Sequence, residues 1–66
     1  MYMTTEQLIN LLFSDCDFDE QRYYTTFLRN VHNTLIEGSC WVYVDGDDIH
    51  SFMKVGMYWK VNKPKI

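Results

Sequence analysis

Residues 40–61, CWVYVDGDDIHSFMKVGMYWKV, decide the fold of this chain. Cys40 to Val44 alternates, with Trp41 and Tyr43 on one face and Cys40, Val42 and Val44 on the other, which is the period of a strand. Asp45-Gly46-Asp47-Asp48 follows as a turn, because Asp and Gly accept the backbone angles that turns need. Met57 to Val61 alternates again, with Met57, Trp59 and Val61 together and Tyr58 and Lys60 opposite. Between them, residues 49–55 read in two ways. As a strand, they put Ile49, Ser51, Met53 and Val55 on one face and close a hairpin. As a short helix, they use Asp47 as cap, set Ile49, Phe52 and Met53 at helical spacing, and stop at Gly56. Of the two, the strand is favoured.

Working outward toward the N-terminus, two helices precede this ribbon. Thr4-Thr5-Glu6-Gln7 has the form of a capping box, with Met3 and Leu8 at the staple positions. Leu8, Leu11 and Leu12 recur at helical spacing, widened by Ile9 and Phe13. Ser14-Asp15-Cys16-Asp17 breaks the pattern and reads as a connection. A second helix starts with Asp17 or Asp19 as N-cap. If the cap is Asp19, Phe18 and Tyr23 form its staple. Tyr24, Phe27, Leu28, Val31 and Leu35 line one face, and Gly38 stands where a left-handed helix cap belongs. The expected class is therefore α+β: two N-terminal helices, then a small antiparallel sheet or ribbon. Asn62-Lys63-Pro64-Lys65-Ile66 reads as a frayed basic tail.

Sixty-six residues make one domain, 1–66. A chain this short buries only about 60% of its unfolded surface, so such folds usually need a staple or a partner. Eleven aromatic rings are more than one small core is expected to hide. That excess predicts a homo-oligomer, with Trp41, Tyr43, Tyr58 and Trp59 in the contact. No secretory pattern opens the chain and no apolar run approaches the ~20 residues that cross a bilayer, so a cytoplasmic protein away from membranes is expected. There Cys16 and Cys40 stay free thiols.

Catalytic and cofactor constellations fail their spacing tests. Cys16, His32, Cys40 and His50 contain no closely spaced ligand pair of the kind structural zinc sites use. Asp15, Asp17 and Asp19 match the first places of a calcium loop, but its glycine place holds Glu20 and its last holds Thr26. Nothing sets either cysteine beside a histidine and an orienting group, as nucleophilic catalysis requires. Cys40 reads as a small core residue. The expectation is no enzyme and no cofactor.

Charge is the most informative feature. Residues 1–48 hold all nine acids against Arg22 and Arg29, a net −7, whereas residues 49–66 hold four lysines and no acid, +4. Such asymmetry speaks of partners, not of fold. Acids cluster at the helix junction (Asp15, Asp17, Asp19, Glu20) and in the turn (Asp45, Asp47, Asp48), with Glu37 near the end of the second helix. Brought to one side, they form a negative band that competes for basic, phosphate-binding surfaces.

In general character (short, acidic, aromatic-rich, without catalytic signatures) the chain resembles the small proteins that phages make to disable host machinery, a likeness of character that rests on no particular residue. The expected function is a protein-binding inhibitor, in the manner of a phage DNA mimic, directed at a basic nucleic-acid-handling protein. The alternative is a nucleic-acid-binding regulatory module in which Tyr58, Trp59, Lys60 and the tail lysines stack and clamp a single strand.

Overall fold

Both helices begin on side-chain caps. In a computed structural model, which describes residues 1–62, the Thr4 hydroxyl accepts from the Gln7 amide N–H at 3.2 Å. The Gln7 side chain accepts in return from the Thr4 N–H at 2.9 Å, so the expected capping box starts α1 (Thr5–Leu12). For α2 (Phe18–Thr34) the cap is Asp17, which accepts from the Glu20 N–H at 2.8 Å. With the cap there, Phe18 becomes the first helical residue and lies 78% exposed instead of stapling to Tyr23. At the other end α2 stops at Thr34, one turn before Gly38. Gly38 does take a positive φ of 86°, but inside the turn that leads into the sheet, where its N–H donates to the Lys54 carbonyl. The carbonyl of Leu35, the helix's C-cap residue, is satisfied instead by Lys54 Nζ at 3.0 Å, a cation suited to the negative end of a helix.

The ribbon is a sheet. β1 (Tyr2–Met3), β2 (Cys40–Asp45), β3 (Asp48–Val55) and β4 (Tyr58–Asn62) pair antiparallel in the order β1-β4-β3-β2. Residues 49–55 are strand, and the short-helix reading falls. Both hairpins use two-residue loops, Gly46-Asp47 and Gly56-Met57, in which only the glycine has positive φ. That is the pattern of a type II′ turn, whose twist matches the flanking strands. Met57 is thus drawn out of the expected β4 stripe into a turn. The chain is α+β as expected, with β1 as an unexpected fourth strand.

Alternation along the strands divides the sheet. One face, covered by the helices, carries Trp41, Tyr43, His50, Phe52, Lys54, Trp59 and Val61. The register sets Trp41 beside Phe52, Phe52 beside Val61, and Lys54 beside Trp59. Phe52 and Trp59 bury completely against Leu8, Ile9, Phe13 and Leu28. The opposite face carries Tyr2, Cys40, Val42, Val44, Ile49, Ser51, Met53, Val55, Tyr58 and Lys60, and no element of the described chain covers it.

Candidate functional site: the acidic end

The helix junction is held by its backbone. The Cys16 N–H donates to the Phe13 carbonyl at 3.1 Å, and Gln21 Nε2 donates to the same carbonyl at 2.8 Å. Phe13 in turn stacks on Tyr24, with centroids 4.2 Å apart, and meets Tyr43 of β2 edge-on at 5.7 Å. This aromatic contact lays the junction against the strand that ends in the Asp45–Asp48 hairpin.

Tyr43 reports the consequence. Its phenol is pushed above the usual tyrosine range, first by partial burial, then by the Asp45 carboxylate, then by the neighbouring Tyr24 and Cys16, and last by Asp15. Asp45 belongs to the hairpin and Asp15 to the junction, so one carboxylate of each cluster acts on this hydroxyl, Asp45 the more strongly. The Cys16 thiol is also raised, by burial first and then by Glu20, Asp15 and Asp17. Negative charge near either group disfavours its anion. Asp15, Asp17, Asp19, Glu20, Asp45, Asp47 and Asp48 are all exposed. Among the described residues the one salt bridge is Glu6–Arg29, so none of the seven is neutralised there by a cation. Arg22, one turn into α2, is the nearest cation in sequence.

Glu37 is not part of this end. Both its carboxylate oxygens accept from the Gly56 N–H, at 3.0 and 2.9 Å, which holds it at the β3–β4 turn. That turn lies at the far end of β3 from Asp48, seven steps away at about 3.3 Å each. Its role there is structural.

The four aromatics expected at an oligomer contact divide differently. Trp59 is 0% exposed, the centre of the core. Trp41 and Tyr43 lie half-buried under the helices; Trp41 stacks on both Tyr43 and Phe52, and Phe13 closes the group edge-on against Tyr43. A single small core thus absorbs more rings than composition suggested, because they pack against one another, some stacked and some edge-on. Tyr58 alone of the four stands on the uncovered face. The burial of Trp59 also removes the chief stacking ring of the nucleic-acid reading, and Lys54 is spent on α2. The expected frayed tail was 62–66, but Asn62 is the last residue of β4 and pairs with Ser51; residues 63–66, with Lys63 and Lys65, lie outside the described residues.

Cys16, His32, Cys40 and His50 are dispersed. Cys40 is exposed on the uncovered face, not in the core, because the inward positions of β2 belong to Trp41 and Tyr43. His32 is buried, a role its flanking place on the helix did not announce. Its ring packs edge-on against Trp59 at 4.8 Å and its Nε2 lies 3.1 Å from the Tyr58 carbonyl. The uncovered apolar face was also missed, although its signal was present: both parities of β2 are apolar until Asp45. Among the described residues no helix is long and apolar enough to cross a membrane. In comparisons with protein-family models, curated proteins and solved structures, nothing matches this chain.

Proposed function

We propose that this chain is a protein-binding inhibitor whose acidic end occupies the basic, phosphate-binding surface of a nucleic-acid-handling protein. The observation that carries the reading is the edge-on contact of Phe13 with Tyr43, which brings the acidic helix junction up to the strand that runs into the acidic hairpin, with the seven carboxylates of the two segments all exposed. Seven exposed carboxylates, none of them in a salt bridge among the described residues, present acceptors on a folded scaffold. A surface built to bind phosphates by charge takes such acceptors by the same attraction. Asp17 is bound into a cap and so is fixed in place, which keeps the entropy cost of docking low.

The test is a competition in which the chain displaces a fluorescent DNA duplex from a small basic architectural DNA-binding protein. Wild type releases the duplex, less effectively as salt rises, since exposed charges are screened over about 8 Å at physiological ionic strength. Changing Asp15, Asp17 and Asp19 to Asn, or Asp45, Asp47 and Asp48 to Asn, abolishes release while the fold persists, because Asn also caps helices and fits turns. Failure of wild type to release any duplex overturns the reading. So does direct binding of the duplex that is lost when Lys60, Lys63 and Lys65 are neutralised.

A further inference from the structure

The uncovered sheet face is unusual for an antiparallel sheet with helices on one side, where the solvent face normally alternates to polar residues. Here Tyr2, Val42, Val44, Ile49 and Tyr58 are each 49–61% exposed, with Met53 and Val55 half-buried between them. Among the described residues the face holds one charged side chain, Lys60, and no acid. Contiguous apolar surface of this kind marks a contact.

We infer that this face is where a second copy of the chain packs, sheet against sheet. Three features favour a copy over a foreign partner. The first is need. The fully enclosed core is small, both cysteines are free, and the described residues contain no cluster that holds a metal. A domain of this size without such staples relies on association, and the partner present wherever the chain is made is the chain itself. The second is size. Four strands about 4.8 Å apart, the longest of eight residues at about 3.3 Å each, outline a face of roughly 400–500 Å² before side-chain relief, which approaches the ~800 Å² that each partner gives to a standard stable interface.

The third is charge. The acidic end lies at the β2–β3 hairpin, and Lys60 lies toward the opposite end of the sheet, beside Tyr2 and Met53. A two-fold axis running across the strands sets each copy's Lys60 toward the other's hairpin, so unlike charges meet. The same axis points the two acidic ends in opposite directions, where they do not repel. Closed two-fold pairing of one patch with itself is the commonest symmetry of soluble oligomers.

Sedimentation equilibrium over a concentration series tests this, with a dissociation constant on the order of 1 µM or tighter expected. The mass should rise from one to two times the 8.0 kDa of the chain. Val44→Lys and Ile49→Lys, at exposed strand positions, should each weaken association at least tenfold with circular dichroism unchanged. Cys40 stands on this face and needs no substitution as a probe: its alkylation, read by peptide mass, should slow as the wild-type dimer forms, while Cys16 changes little. A single-chain mass at about 100 µM, a hundredfold above that constant, overturns the inference. A dimer indifferent to both variants that leaves Cys40 equally reactive also overturns it, and points to pairing along the β2 edge.

Discussion

The Trp59 indole N–H donates to Thr5 Oγ1 at 3.1 Å, a buried bond joining the first residue of α1 to the last strand across 54 positions of sequence. Thr5→Val keeps the shape and removes the acceptor, leaving the indole N–H buried and unpaired. The cost should be on the order of 1–3 kcal/mol, and Thr5→Ser, which restores the hydroxyl, should recover most of it. Urea unfolding of the two variants measures both. Equal stability of Val and Ser variants would show the bond to be idle.

Leu28 and Phe27 are neighbours on α2 with opposite fates, one fully buried and the other largely exposed. Leu28→Ala should cost on the order of 2–5 kcal/mol, enough to threaten a domain of this size. Phe27→Ala should change stability by less than about 1 kcal/mol. Thermal melts of the pair check the orientation of the helix, since a helix rotated by one position reverses the ranking.

Ionisation of Tyr43 should lie above the ordinary value of 10.0, because burial and the carboxylates of Asp45 and Asp15 oppose the phenolate. Asp45→Asn and Asp15→Asn should each bring it down, by ultraviolet titration against a Tyr43→Phe reference. The folded state holds this proton more tightly than the unfolded chain. Its contribution to stability is therefore complete below pH 10 and is lost as pH rises from there through the folded-state value. An Asp15→Asn variant with an unmoved Tyr43 would separate the two acidic clusters.

Glu37 separates structural from functional acidity. Glu37→Ala should loosen the β3–β4 turn, costing about 1 kcal/mol for the lost hydrogen bonding to Gly56. It should leave the displacement of DNA unchanged. Loss of displacement with full stability would return Glu37 to the acidic surface.

What could be read in advance follows locality. The capping box, the strand periods and the hairpin glycines act within a few residues, so the elements were legible. Asp17 rather than Asp19 as cap needed only the geometry of one turn, yet two equivalent caps in sequence left it open. Residues 49–55 were ambiguous because Ile49, Phe52 and Met53 satisfy a helical period, and pairing with β2 and β4 on both sides decides for strand. His32 and Trp59 were misjudged because their hydrogen bonds, to Tyr58 and to Thr5, span 26 and 54 positions, distances at which spacing carries no signal. The acidic clusters were legible as composition, but the approach of the helix junction to β2 depends on Phe13 meeting Tyr43 across the fold.

The sheet order β1-β4-β3-β2 also fixes when this protein can exist during its own synthesis. Leu8, Ile9, Phe13 and Leu28 are made first, but the residues they enclose, Phe52 and Trp59, come from the last third of the chain. Tyr2 and Met3 find their hydrogen-bonding partners only in β4. Until Trp59 has cleared the ribosome, Leu8 and Leu28 therefore lack the two rings that enclose them, and a translation product stopped at the first hairpin should be more open to proteolysis than the whole domain.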